Sequence, residues 1–239
     1  MNSILTKPLL SFVTTPITPS LLMHQSHGQV WSNNNGGSKR QQDVNEVARD
    51  EPAGLQIYQL KIELLEIQPM IWRRVLVSGS VTLAQLHEVI QAAIGWTNSH
   101  LHEFIVGAYS YSDPEFEIED AKSEYRYRLA RLAPRVRNTI AYTYDFGDGW
   151  EHQIRVENII ENDRRYPGRP VCLDGKRHGP PEDCGGSGGY QNFLDAIRNK
   201  KHKDHKELLD WVGGSFDPEF FDVDEVNSRL RQIDFRRRW

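Results

Sequence analysis

The chain has 239 residues, of which 38% are hydrophobic and 26% are charged, as is typical of soluble globular proteins. Its formal net charge of -4 provides no overall attraction to nucleic acid or to an anionic membrane. Cys172 and Cys184 are its two cysteines, which argues against a disulfide-stapled secreted scaffold and favours a cytoplasmic location. The sequence has no apolar run long enough to cross a bilayer, so we expect no membrane partner.

Residues 1–54 are predicted to be a disordered leader. They show neither helical nor strand periodicity, and they include the polar run SNNNGGSKRQQ. Residues 55–239 are predicted to form a single domain, because ordered patterns begin at Ile57 and follow one another along the chain.

Two strands and a helix are predicted at the start of this domain. Residues 58–64 alternate apolar and polar side chains, and residues 71–77 do the same beyond a break at Pro69. Thr82 then opens a capping-box pattern ahead of the helical segment LAQLHEVIQAAI, whose apolar stripe ends at a glycine.

A third strand is predicted at residues 100–106. Since side chains alternate along a strand, His100 and His102 are expected on the same face. The charged stretch 110–135 gives no clear pattern. Residues 139–144 and 150–160 are then predicted to pair as a hairpin around the sequence GDG.

The rest of the chain is predicted to be a long loop followed by helices. The loop spans about 25 residues and is rich in proline and glycine, a length that is usually functional or disordered. Three helical stripes follow, the last capped by Asp222 or Asp224. In the segment FDPEFFD, the phenylalanines are expected to anchor in the core. The predicted fold class is α+β, a mainly antiparallel sheet with helices packed against it and a helical C-terminal third.

Six motifs in order resemble the plasmid pRiA4b ORF-3-like family: IWRRVLV, TLAQLHEVIQAAIGW, HLHEF, YDFGDGWEH, PPEDCGGSGGY and WVGGSFDPEFFD. The resemblance implies the same α+β fold and a passenger protein of plasmids or transposons. Some family members carry a label taken from transposon resolvases. This sequence shows neither a serine-recombinase nucleophile motif nor the residue constellation of a tyrosine recombinase.

The segment YTYDFGDGWEH has more aromatic and acidic side chains than a hairpin needs. A second unusual segment, PPEDCGG, presents adjacent carboxylates before glycines that allow close approach of the backbone. These segments and the tryptophan after the first helix define a candidate site, which comprises Trp96, Tyr144, Asp145, Asp148, Trp150, Glu182 and Asp183.

A divalent metal is the cofactor that these residues could bind. If the two histidine strands are neighbours, His100, His102 and His152 converge near Asp145 and Asp148, a ligand set suited to Zn²⁺ or another first-row ion. The alternative is that the histidines are core or rim residues that bond to the backbone.

Two functions follow from this candidate site. The first is a non-catalytic binding module whose aromatic and acidic groove takes a peptide or a nucleic acid. The second is a divalent-metal-dependent hydrolase or nuclease, in which Glu182 and Asp183 would hold the ion together with these histidines and aspartates. We favour the module, because no nucleophile, base and orienting group can be assigned from spacing.

Overall fold

In a computed structural model, the residues that are described are 56–161 and 166–235. The predicted leader, residues 1–54, lies outside them. Within the described part, eight strands form one sheet in the order β5-β4-β3-β6-β7-β1-β2-β8. The pairing is antiparallel except between β4 and β5, which are parallel. The strands are β1 (Gln56–Leu64), β2 (Ile71–Ser78), β3 (His102–Val106), β4 (Tyr109–Ser112), β5 (Lys122–Ser123), β6 (Thr139–Tyr144), β7 (Trp150–Glu161) and β8 (Val171–Lys176).

Alternation of apolar and polar side chains explains the central strands. Along β2, Ile71, Arg73, Val75 and Val77 are buried, whereas the residues that alternate with them are partly exposed. Leu60 and Ile62 of β1 are buried beside them. Because one face of the sheet is apolar, helices must cover it, and the predicted α+β class is confirmed.

Five α-helices accompany the sheet in the described residues: α1 (Leu83–Ile94), α2 (Leu129–Leu132), α3 (Gly186–Arg198), α4 (His205–Trp211) and α5 (Val223–Leu230). The capping box predicted for α1 is present, with Thr82 and Gln85 each accepting a backbone amide of the other. Gly95 ends α1 in the left-handed conformation. At that end, the guanidinium of Arg73 donates to the carbonyl of Ala93, so a cation meets the negative end of the helix dipole.

The structure differs from the sequence analysis at four points. The third strand begins at His102, so His100 lies just before it. The stretch 110–135 is ordered and contains β5 and α2, and the segment expected to be a long loop contains β8. The helical C-terminal third is matched only loosely, because loops separate three short helices.

The outer edge of β8 is closed by a side chain. Asn227 on α5 accepts the amide of Cys172 through Oδ1 at 2.8 Å and donates to the carbonyl of Cys172 through Nδ2 at 2.9 Å. This amide therefore satisfies two backbone groups that an edge strand would otherwise leave open to another chain.

Replacing Asn227 by alanine is expected to lower the free energy of unfolding by about 1–3 kcal/mol, since two hydrogen bonds of about 0.5–1.5 kcal/mol each are lost. Urea unfolding measures the change. Ser228→Ala, at an exposed position of the same helix, is the matched control. Equal stability of the two variants would contradict the role of Asn227.

Candidate functional site

The site begins with an aromatic layer at the end of the hairpin. Tyr144 ends β6 and pairs with Trp150, the first residue of β7. Trp96, which follows the glycine that ends α1, stacks on Tyr144 with ring centroids 4.8 Å apart. It also lies 5.9 Å from the ring of Trp150. All three side chains are buried, so the layer fixes the base of the site.

The turn between the two strands is organised by its aspartates. Asp145 adopts a positive φ of 55°, and its Oδ1 accepts the amides of Gly147 and Asp148. The carboxylate of Asp148 points the other way and accepts the amide of Gly185 at 3.1 Å. The turn is therefore tied to the loop that precedes α3.

Hydrogen bonds donated by Trp96, Tyr144 and Thr97 hold that loop in place. The indole nitrogen of Trp96 donates to the carbonyl of Pro180 at 2.9 Å. Glu182 accepts the Tyr144 hydroxyl at 2.6 Å and the amide of Thr97 at 3.2 Å. Burial and the bond to Glu182 raise the pKa of Tyr144. Glu182 thus joins the loop, the hairpin and the segment after α1.

Two of the glycines in the first turn of α3, which follows this loop, are needed for close approach of the backbone. A Cβ on Gly186 would lie 2.3 Å from the carbonyl oxygen of Asp148, and one on Gly189 would lie 1.9 Å from that of Cys184. Gly188, in contrast, faces open space. The close approach of the backbone that the sequence predicted for these glycines therefore occurs at Gly186 and Gly189 and not at Gly188.

His100 lies between two carboxylates. Its Nδ1 is 3.7 Å from Oδ2 of Asp145, and its Nε2 is 3.2 Å from Oδ1 of Asp183. In the described part of the chain, these three side chains are the one set of three potential metal ligands whose atoms all lie within 4.8 Å of one another.

The other two histidines of the predicted metal set lie elsewhere. β6 separates the strand of His102 from the strand of His152, so the condition on which the predicted convergence of the histidines depended is not met. The ring of Tyr142, on β6, lies 6.0 Å from the ring of His102 and 5.3 Å from that of His152. The three histidines therefore do not converge on one ion.

His102 belongs to a buried polar cluster. Its ring stacks on that of His87 at 3.5 Å, and its Nε2 lies 2.8 Å from Oε2 of Glu124. Burial lowers the pKa of both histidines and raises that of Glu124, so the uncharged forms are favoured. His152 is also buried, and its Nδ1 lies 3.0 Å from the carbonyl of Trp150.

A cleft lies beside the loop, with a volume of about 630 Å³. Two of its aromatic side chains are exposed to solvent, Trp211 by 47% and Phe220 by 44%. The prediction that Phe220 anchors in the core is therefore wrong. We call this the aromatic–acidic cleft, and its walls include Trp96, Glu182, Asp183, Trp211, Asp217 and Phe220.

Several of these site residues were missed by sequence reasoning. Trp211 lies on α4, where the periodicity read from the sequence directed attention to the apolar stripe rather than to this exposed position. Glu124 comes from the charged stretch that gave no pattern, and Thr97 from a short connection without a motif. The one signal in the sequence was a tryptophan close to paired glycines. Its exposure became apparent from the structure.

Comparisons with known proteins agree with the resemblance drawn from the motifs. Residues 56–225 match the family model described as plasmid pRiA4b ORF-3-like protein. The uncharacterized protein y4hQ of Sinorhizobium fredii (strain NBRC 101917 / NGR234) is 39% identical over 185 residues, which cover 74% of this chain and 88% of that protein. The crystal structure of MM3350, a protein of unknown function from Methanosarcina mazei Go1, is similar with a TM-score of 0.65 and 34% identity, covering 71% of this chain and 97% of that one.

No helix among residues 56–161 and 166–235 has both the length and the apolar character that crossing a bilayer requires.

Gly186→Ala is expected to destabilise the protein by at least about 2 kcal/mol, because the new Cβ meets the carbonyl of Asp148 and the position has a φ of 67°. Gly188→Ala is the matched control in the same helix, and its stability should be unchanged or slightly raised. Urea unfolding of both variants makes the comparison. Equal losses would show that the loop does not need this close approach.

Acid is expected to destabilise the protein between pH 6.5 and about 4. Burial lowers the pKa of His152 from 6.5 to about 4, so in this window the unfolded chain binds a proton that the folded chain does not. The free energy of unfolding then falls with falling pH by about 1.4 kcal/mol per pH unit for each such proton. His87 and His102 act in the same direction, whereas Glu124, whose pKa burial raises, binds a proton in the folded state and partly offsets them.

The measurement is the pH dependence of urea unfolding for the wild type, for His152→Phe and for His202→Gln, a control at a partly exposed histidine. His152→Phe should reduce the slope of the unfolding free energy against pH by the equivalent of about one bound proton. This holds even if the substitution also changes the stability at neutral pH. A wild-type slope that His152→Phe leaves unchanged would contradict the assignment.

Proposed function

This chain belongs to the plasmid pRiA4b ORF-3-like protein family, and from that premise we propose that it is a non-catalytic binding module. Its ligand is a positively charged peptide segment, rich in arginine or lysine, which enters the aromatic–acidic cleft. The family name refers to a plasmid reading frame, and we place the module among proteins that plasmids and insertion elements carry.

The charge of the cleft carries this proposal. Among the described residues that line it, Glu182, Asp183 and Asp217 are carboxylates, and none is lysine or arginine. A cleft of one sign concentrates groups of the opposite charge and focuses the field in its low-dielectric walls. Guanidinium and ammonium groups are the protein groups that meet this condition.

The aromatic walls support the same ligand. The indole of Trp211 and the ring of Phe220 are nearly half exposed on the cleft, although side chains of this size are usually covered. A cation placed over an aromatic face gains about 0.5–2 kcal/mol, more when it is desolvated. Carboxylates and aromatic faces together suit a side chain that ends in a cation and has an apolar stem.

A peptide is favoured over a nucleic acid by electrostatics. Phosphate groups that enter the cleft would face its carboxylates, and the chain has a net charge of -4. Nucleic-acid affinity depends mainly on lysine and arginine contacts with phosphates. The cleft lining provides none of these residues.

The state of the reactive groups supports a non-catalytic role. Burial raises the pKa of the Cys184 thiol to about 12, which disfavours the nucleophilic thiolate. The hydroxyl of Tyr144 is held by Glu182, and burial keeps His102 and His152 uncharged. These groups stabilise the fold in their present arrangement.

One observation favours the second candidate, a divalent-metal-dependent hydrolase or nuclease. His100, Asp145 and Asp183 come together at an open surface, where a bound ion could activate water. Hydrolysis of p-nitrophenyl phosphate or of single-stranded DNA that depends on Zn²⁺ or Mn²⁺ and disappears in Asp183→Asn would establish it.

The binding proposal is tested with a fluorescent oligo-arginine peptide, by anisotropy at low and physiological salt. The wild type should bind it, and Trp211→Ala and Phe220→Ala should each weaken binding about tenfold, which corresponds to about 1.4 kcal/mol. Neither substitution changes the charge, so non-specific attraction to an acidic protein would be unaffected.

Tyr109→Ala is the matched control, because Tyr109 is 56% exposed but lies on β4 and does not line the cleft. It should bind like the wild type. Equal binding by Trp211→Ala and Tyr109→Ala, or tighter binding of a single-stranded oligonucleotide than of the peptide, would overturn the proposal.

A further inference from the structure

We propose that His100, Asp145 and Asp183 bind one divalent transition-metal ion, of which Zn²⁺ best fits the nitrogen and oxygen ligands. The ion connects the hairpin turn to the loop before α3. This inference does not depend on peptide binding, because the aromatic walls of the cleft have no part in the ion site.

The three ligand atoms are already close to coordination geometry. They lie within 4.8 Å of one another, and Nε2 of His100 is 3.2 Å from Oδ1 of Asp183. Ligands at about 2.0–2.2 Å from a tetrahedral ion are about 3.4 Å apart. Closure around an ion therefore requires shifts of about 1 Å, which the 72% exposed side chain of Asp183 can make.

The contacts of His100 are not those of a hydrogen-bonded ion pair. Its Nε2 is buried and makes no hydrogen bond, although Asp183 Oδ1 lies within reach. Its Nδ1 is 3.7 Å from Asp145 Oδ2, which is longer than a hydrogen bond. The two contacts involve opposite nitrogens of the imidazole, so an ion would take one ring nitrogen of His100 together with one oxygen from each aspartate.

Asp145 is oriented for this role by its own turn. Its Oδ1 accepts the amides of Gly147 and Asp148, which leaves Oδ2 directed towards His100. A carboxylate fixed through one oxygen presents the other at a defined position, as second-shell bonds do in metal sites. Its side chain is only 11% exposed, so this ligand loses little freedom on binding an ion.

The remaining coordination positions face solvent. His100 and Asp145 line a pocket of about 470 Å³ whose other walls include Ser99, Asp113 and Phe116. Three protein ligands with an open fourth position are typical of sites where a zinc ion keeps an exchangeable water, whereas closed four-ligand sites are structural. The ion is therefore expected to keep an exchangeable water on the side of this pocket.

The test is isothermal titration of the chelator-treated full chain with ZnCl₂, in a buffer that does not bind zinc. The wild type should bind one equivalent, and His100→Gln and Asp183→Asn should each weaken binding at least tenfold. Co²⁺ added in place of Zn²⁺ should give visible absorption that both variants lose. Asp183 is well exposed, so Asp183→Asn is expected to fold normally.

His178→Gln and Asp217→Asn are the matched controls, since they remove the same residue types from the neighbouring cleft. Both should bind zinc like the wild type. Absence of stoichiometric zinc binding in the wild type, or equal weakening in the control variants, would overturn the proposal. Trp211→Ala should weaken peptide binding but bind zinc normally, so the zinc proposal and the peptide proposal can be refuted independently.

Discussion

The candidate site depends on the hydrogen bonds that the carboxylate of Glu182 accepts. This carboxylate accepts the Tyr144 hydroxyl and the Thr97 amide, so one side chain joins the hairpin, the segment after α1 and the proline-rich loop. Because these bonds converge on one carboxylate, they hold the three segments in one relative arrangement. That arrangement also determines where the next residue, Asp183, projects. Both the acidic wall of the cleft and the contact with His100 follow from it.

Patterns among neighbouring residues were sufficient to predict part of the fold. The alternation in β1 and β2, the capping box of α1 and the glycine-containing hairpin each depend on neighbouring residues. Pairing between distant segments had no such signal. β8 is short and pairs with β2, far away in sequence, and β6 is inserted between β3 and β7. Strand order is a property of the whole sheet, so periodicity within a strand could not reveal it.

The same distinction explains the candidate site. Tyr144, Asp145, Asp148 and Trp150 were found because they crowd one turn. Glu182 and Asp183 were found because adjacent acids precede glycines. Alternation placed His100 and His102 on one face of their strand but could not show that Tyr142 stands between His102 and His152. Trp211 and Phe220 escaped notice because exposure of an aromatic side chain depends on what the fold leaves uncovered.

α4 contributes its last residue, Trp211, to the cleft, and none of its side chains is fully buried. Gly213 and Gly214, both with positive φ, follow soon after its end. A helix with so little buried apolar surface opens at a small free-energy cost. We expect this wall to adjust to side chains of different length. Such a wall suits the binding module that we propose, because it would recognise a class of sequences and release each of them quickly.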